Sequence, residues 1–335
     1  MFMGSRLAAA ALTYVSGGFR MSSTVSSTVQ HIDATAPTWV PVTQEQVHKL
    51  TASEVLLTQW CQNGNDVFTV HADWPQDHAF YGPQHGLHDP MLLAESIRQC
   101  IPLLSHAAYD APAGHRQSWS HFSFALTPAA LATTAGATSV ELRVSCHDVV
   151  RRMGRLASML MKVDVIRDGV QVGTAQTRFA NTAPALYQRL RGTYADLDAS
   201  IARALPLPPP AAPAQVARKD FADVVLSPTD SPRRHQMRVD LNHPVLFDHP
   251  VDHAPGMLLL EAARQASHTA AQPPAAMLSM DVVFARYAEL DAPCWIHTDP
   301  FPTDQPGQHR VLITAVQNDV CVFSSIITLL SLPQN

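Results

Sequence analysis

The sequence predicts an α+β fold built twice over, each copy a single buried helix wrapped by a curved antiparallel sheet. An internal repeat is the first observation behind this. Residues 91–100 (MLLAESIRQC) and 257–266 (MLLLEAARQA) agree at six of ten positions with a constant offset of 166, and self-similarity at a fixed spacing marks a duplicated unit. The second observation is the character of these segments: residues 257–266 are apolar nearly all round, which belongs to a helix inside a core rather than on a surface. The third is a hairpin signal late in each half, VDVIRDGVQV at 163–172 and AVQNDVCV at 315–322, where Asp-Gly and Asn-Asp supply turn residues between alternating strands.

Residues 1–44 read as a disordered leader. A short apolar run after Arg6 imitates an export signal without a cleavage pattern, and a Ser/Thr-rich tract follows Met21. The first repeat is expected over 45–200. Its helix opens at Asp89-Pro90, a good N-cap and first-turn pair, and Pro102 is expected to end or kink it. The alternating Phe122-Ser123-Phe124 then belongs to a strand. Residues 201–218 contain LPLPPPAAPA at 205–214, a composition that forms extended chain and reads as a linker. In the second repeat, over 219–333, Leu246-Phe247 matches Phe80-Tyr81. The helix starts after Pro255-Gly256 and stops at Pro273-Pro274, and Val282-Val283-Phe284 answers Phe122-Ser123-Phe124.

Composition narrows the partners. A chain of 335 residues, 46% hydrophobic and 15% charged, can bury real cores. Its net charge of −5 and the absence of a Lys/Arg block argue against nucleic acid as the main partner. No run approaches the roughly eighteen apolar residues a membrane helix needs. Cys61, Cys100, Cys146, Cys294 and Cys321 are scattered without a C-x-x-C pair, which fits neither a disulfide framework nor a zinc site and points to a reducing, cytoplasmic setting.

Chemistry is expected on the two helices and the loop before the second. Glu95, Arg98 and Gln99, and likewise Glu261, Arg264 and Gln265, share one helix face. Charges on an otherwise apolar helix need each other or a purpose. The loop at 242–256 (NHPVLFDHPVDHAPG) is dense in His and Asp and ends on a helix N-terminus, where the amides of Gly256 and Met257 suit a developing oxyanion. In the first repeat Pro90 stands where Gly256 supplies an N–H, so one donor is lost. Among His243, His249, His253, Asp248 and Asp252 the prolines break any helical ligand spacing, and no metal or other cofactor is expected. Two basic clusters, Arg151-Arg152 with Arg155 and Arg233-Arg234 with Arg238, are candidate docking surfaces for an acidic carrier protein or a phosphate.

The run from Phe247 to Ala266, FDHPVDHAPGMLLLEAARQA, closely resembles the signature of the A-factor biosynthesis (AfsA-type) hotdog proteins, which carry two such repeats; the resemblance covers residues 45–333. More distantly, Pro255, Gly256, Glu261, Ala262 and Gln265 are similar to the pattern of the hotdog dehydratases. Aligned without gaps, however, the dehydratase histidine falls on Phe247, so His249 takes its role only with a loop shift, and Arg264 replaces a small residue. The resemblance implies a double hotdog that moves a 3-oxoacyl group from an acyl carrier protein thioester to a hydroxyl of dihydroxyacetone phosphate, toward γ-butyrolactone signals. It then implies Glu261 as general base, with Glu95 as alternative or fellow member of one composite site. Arg264 or Arg98 would hold the phosphate, Gly256 and Met257 the oxyanion, and His249, Gln265, Gln99 and Phe247 would line the site. Two repeats in one chain supply the pairing that single-repeat relatives obtain by dimerising, so the chain is expected as a monomer or homodimer. A dehydratase or thioesterase, and a non-catalytic acyl- or lactone-binding module, are the alternatives.

Overall fold

The computed structural model describes residues 37–271 and 274–333; the expected leader lies outside the described residues up to position 36. In the first repeat β1 (Val40–Pro41), β2 (Leu57–Gly64) and β3 (Val67–Trp74) precede helix α1 (Met91–Ala107). Strand β4 (Arg116–Leu126), the single turn α2 (Pro128–Leu131), β5 (Thr138–Arg152), β6 (Arg155–Arg167) and β7 (Val170–Thr182) follow it. Helices α3 (Pro184–Arg191) and α4 (Leu197–Ala202) lead away from the first sheet. The second repeat has β8 (Leu226–Pro228), β9 (Arg234–Met237), helix α5 (Gly256–Ala270), then β10 (Ala275–Phe284), β11 (Cys294–Phe301), β12 (Gln308–Gln317) and β13 (Val320–Ser331).

The strands form one antiparallel sheet in the order β1-β2-β3-β5-β6-β7-β4-β10-β13-β12-β11-β9-β8. Read outward from the β4–β10 seam, the two halves present the same succession of strands, with β1 an addition at the outer edge of the first, which is the duplication seen in the sequence. Phe122 pairs with Val282 across that seam, so the two segments matched by sequence meet there. Both hairpins turn on two left-handed residues, Asp168 (φ 51°) with Gly169 (φ 75°) and Asn318 (φ 51°) with Asp319 (φ 59°), the geometry that matches the strand twist and that Asn, Asp and Gly tolerate.

The helices fill the concavities. Helix α1 packs on β2 and β3, α5 on β11, β12 and β13, and the two touch each other. Leu92, Leu93, Ile97, Leu104, Leu260 and Ala263 are fully buried; each large aliphatic among them contributes about 2–3 kcal/mol. Of the two expected effects of Pro102, termination does not occur: α1 continues to Ala107. The missing N–H leaves the Arg98 carbonyl without its helical donor, and burial of the flanking Ile101, Leu103 and Leu104 outweighs that loss.

The starts of both repeats lie further toward the N-terminus than expected. Strand β1 pairs with β2, so Val40 and Pro41 belong to the sheet. The Pro/Ala stretch is extended and tied down by Leu205 N–H to Leu290 O at 3.0 Å and Ala211 N–H to Leu226 O at 2.8 Å. From the 3-10 turn Pro213–Val216 onward, however, the chain is part of the second repeat, with Val216 fully buried and Arg218 buried behind it.

Candidate active site

Each buried helix brings a carboxylate into the core together with its own cations. On α1, Glu95 is 2% exposed, 3.0 Å from Lys49 Nζ and 3.9 Å from Arg98 Nε. On α5, Glu261 is completely buried and receives Arg264 Nε at 2.9 Å, Arg218 Nε at 3.0 Å and Gln265 Nε2 at 2.6 Å. Lys49 and Arg218 are counterparts: each follows a 3-10 turn and one left-handed residue, His48 (φ 54°) or Ala217 (φ 52°). Their absence from the sequence-based site has a simple cause, since the matching runs QVHKLTASEVLL and QVARKDFADVVL lie 169 residues apart, not 166. A comparison allowing a three-residue slip finds them.

Gln99 and Gln265, expected to touch substrate, instead lock backbone. Gln99 Oε1 accepts from Leu56 N–H at 3.0 Å while its Nε2 donates to Glu54 O at 2.7 Å; Gln265 does the same with Val225 N–H at 3.0 Å and Asp223 O at 2.7 Å. Both are fully buried. Phe247 is likewise a core residue at 8% exposure. The loop register also moves by one: His78 Nδ1 accepts the N–H groups of Phe80 and Tyr81, and His243 Nδ1 those of Val245 and Leu246. Tyr81 therefore answers Leu246, not Phe247.

The protonation chemistry differs from expectation as well. Burial alone would raise the Glu261 pKa toward a useful base, but Arg218 and Arg264 overcome it and hold the carboxyl down to about 2. A base this weak, enclosed by two guanidinium groups, is a structural anion. Burial likewise opposes ionisation of Glu95, and Lys49 and then Arg98 more than compensate, keeping it below the usual carboxylate range.

The decisive difference between the repeats is space. A cavity of about 1120 Å³ is lined by Lys49, Glu95 and Arg98 from the first repeat and by His249, Gly256 and Met257 from the second. The related position beside Glu261 holds only about 230 Å³, bounded by Asp89, Arg218, Arg264 and His268. Thus Glu95, Arg98, His249, Gly256 and Met257 come together, whereas Arg264 faces the small pocket and Glu261 neither.

The helix ends explain which cavity is furnished for chemistry. Hydrogen bonding of the α5 first turn begins with Leu258 N–H to Pro255 O at 3.0 Å; among the described residues the amides of Gly256 and Met257 have no acceptor, and both line the cavity. At α1, Pro90 has no N–H and Asp89 Oδ1 accepts from Met91 N–H at 2.9 Å, so that terminus is closed. Gly256 also allows close packing: a Cβ there would lie 2.9 Å from Trp119 Cε3.

Opposite this terminus the wall is cationic and imidazole-rich. Arg98 is anchored by Val47 O at 3.0 Å. Burial, then His106, Arg98 and His249, drive His48 down to about 4. Burial and Arg98 also lower His249. Asp248 fastens the loop across the repeats by accepting Leu50 N–H at 2.9 Å.

Sequence reasoning weighed Asp252 and His253 only as metal ligands and missed the cluster they form with another segment. Asp252 accepts Tyr187 OH at 2.7 and 2.8 Å and contacts His253 Nδ1 at 2.6 Å, and Arg191 Nε lies 3.8 Å away. Tyr187 and Arg191 come from α3, far away in sequence, so spacing gave no sign of them. Of the basic clusters, Arg151, Arg152 and Arg155 are exposed around the β5–β6 turn. Arg238, by contrast, is buried and donates to Pro208 O at 2.7 Å and to Val224 O, bracing the linker instead of docking a partner. Among the described residues no helix is long and apolar enough to cross a membrane, and all five cysteines are free thiols.

Two helix-filled halves of one continuous sheet, with one enlarged cavity where the helices meet, define a double-hotdog protein. The chain belongs to the A-factor biosynthesis hotdog domain family, whose model matches residues 31–183 and 199–332. It is 43% identical over 288 residues to a 2-oxo-3-(phosphooxy)propyl 3-oxoalkanoate synthase of Streptomyces virginiae, covering 85% of this chain and 96% of the relative. A synthase of the same name from Streptomyces coelicolor is 36% identical over 302 residues, with coverages of 89% and 93%. Among solved structures, an acyl-ACP thioesterase from Bacteroides thetaiotaomicron matches at a TM-score of 0.47 and 11% identity, covering 79% of this chain and 98% of its own.

Proposed function

We propose that this protein transfers a 3-oxoacyl group from the thioester of an acyl carrier protein to a hydroxyl of dihydroxyacetone phosphate, giving the phosphorylated keto-ester for which its relatives are named. The observation that carries this reading is the composite cavity, in which the open α5 N-terminus of the second repeat and the Lys49–Glu95–Arg98 cluster of the first share one space. The unpartnered amides of Gly256 and Met257, reinforced by the helix dipole, suit the oxyanion of the tetrahedral intermediate, where a single donor is worth about 3 kcal/mol. Arg98 and Lys49, with His48 and His249 beside them, suit the acceptor's phosphate. Glu95 is in this reading the anion that fixes Lys49 and Arg98. The cavity accommodates both substrates, and Ile101, Leu246, Leu259 and Phe284 on its wall suit the acyl chain. Free thiols and a carrier-protein donor fit a cytoplasmic setting.

The test is incubation with a 3-oxoacyl carrier-protein thioester, with and without dihydroxyacetone phosphate, followed by mass spectrometry. A product containing both the acyl group and the phosphate, formed only with the acceptor, is expected. Enoyl thioester or free acid formed regardless of acceptor would overturn the transferase reading in favour of a dehydratase or thioesterase. Binding without turnover would overturn it in favour of a ligand-binding module.

A further inference from the structure

We infer that His253, oriented by Asp252, is the general base that takes the proton from the attacking hydroxyl. The inference rests on the transferase reading above. Acyl transfer to an alcohol needs a proton acceptor near the reacting carbon, and the glutamates are poor candidates: Glu261 is sealed between two arginines, and Glu95 is bound to Lys49 at 3.0 Å. His253 lines the same cavity as Gly256 and Met257, and it stands three residues before the helix whose open end holds the oxyanion.

Its ring is set as a base requires. Nδ1 meets the Asp252 carboxylate at 2.6 Å, which fixes the tautomer that carries hydrogen on Nδ1 and leaves the lone pair on Nε2. Among the described residues Nε2 makes no hydrogen bond, and the side chain is 24% exposed. The Tyr287 ring abuts the imidazole edge to face, with centroids 4.6 Å apart. Asp252 is itself over-determined: Tyr187 OH bonds both of its oxygens, and Arg191, paired with Glu289 at 2.8 Å and stacked 4.1 Å over Tyr287, lies against it. This is more support than a loop needs merely to hold its course, and all of it converges on the orientation of one imidazole. The first repeat has Leu87 at the position corresponding to His253, three residues before Pro90, so this base belongs to the large cavity alone.

In the step so defined, Nε2 takes the proton of the acceptor hydroxyl as its oxygen bonds to the thioester carbonyl carbon. The C–S bond then breaks, the pair leaves on sulfur, and the imidazolium returns the proton to that thiolate. Ester and free carrier thiol result, with no other reactant consumed.

The assay uses the full-length protein with 3-oxooctanoyl-pantetheine and dihydroxyacetone phosphate. His253→Gln is expected to lower kcat at least about a hundredfold with KM for the acceptor changed less than threefold. His253→Gly should regain turnover when free imidazole is added, since the cavity has room for it. Asp252→Asn, changing a positioning residue, should lower kcat with KM preserved. Unchanged melting temperatures separate these effects from unfolding. Retention of more than a third of wild-type kcat by His253→Gln, or a folded His253→Gly that imidazole does not revive, overturns the inference. If the wild type itself makes no acceptor-dependent ester, the transferase reading has failed. The same variants are then scored on thioester hydrolysis, where water replaces the alcohol, and absence of any histidine-dependent turnover there overturns the dyad too.

Discussion

Replacing Glu261 with Gln separates a brace from a base. In the structure this carboxylate is the shared counter-ion of Arg218 and Arg264, with all three side chains almost wholly buried. Removing its charge leaves two buried guanidinium groups with only Asp89, 3.9 Å from Arg218 Nη1, as a nearby carboxylate. The depression of its pKa from 4.5 to about 2 corresponds to about 3 kcal/mol, and breaking a buried ion pair from one side costs about 3–5 kcal/mol. For a chain of this size each kcal/mol moves the melting temperature by roughly 2–3 °C, so Glu261→Gln should melt about 6–15 °C lower. Thermal unfolding by circular dichroism gives this shift, and kcat is measured at 20 °C, where the variant remains folded. A kcat within tenfold of wild type is expected. Unchanged melting with a hundredfold loss of kcat would refute the brace and return Glu261 to the role of base.

Three further predictions follow from the same geometry. Gly256→Ala puts a methyl 2.9 Å from Trp119 Cε3 at the oxyanion terminus; kcat should fall at least tenfold, checked by steady-state kinetics against an unchanged acceptor affinity. Glu261, Glu95 and Asp252 all ionise more readily folded than unfolded. Their stabilisation is therefore complete above the unfolded carboxyl pKa of about 4 and is lost as pH falls toward the folded values, about 2 for Glu261. Melting temperature should accordingly drop between pH 5 and pH 2. Reversing Arg151, Arg152 and Arg155 to Glu together should raise KM for the carrier-borne thioester about tenfold, steeply salt-dependent, while KM for the pantetheine thioester stays unchanged.

The duplication, the buried helices and the hairpins were legible because each depends on local pattern: an all-round apolar run, a strict repeat and paired turn residues. The open end of α5 and the closed end of α1 were half legible. Pro90 against Gly256 is visible in the sequence, but the carboxylate of Asp89 capping Met91 N–H is not, since an N-cap residue and a ligand-facing acid look alike. What stayed hidden was whatever depends on chain brought in from elsewhere. Lys49 and Arg218 decide the ionisation of the two glutamates, and Tyr187 and Arg191 decide the orientation of Asp252. A glutamate on an apolar helix reads as a base with a raised pKa until the arginine from another segment is placed beside it. The sequence spacing of 166 residues that revealed the helices concealed those partners, because the turns that supply them are offset by three more.

The two halves show how one scaffold came to hold one site. Both preserve the glutamate, its helical arginine and a cation delivered from a 3-10 turn, so this knot belongs to the framework on which each helix is built into its sheet. Replacing the cation changes the consequence. Arg218 reaches across to the first repeat, donating to Phe80 O and stacking 3.9 Å over the Phe80 ring, and thereby fills the space beside Glu261. Lys49, shorter and without a planar face, satisfies Glu95 and leaves the volume in front of it free. The same substitution that consolidates one pocket therefore keeps its counterpart open, and the glycine, the free amides and the histidine all gather on the open side. Exchanging Arg218 for Lys is the direct check: it should enlarge the small pocket and lower stability, yet create no second centre of turnover, because Pro90 and Asp89 still close the helix terminus there and Leu87 stands where the large cavity has His253.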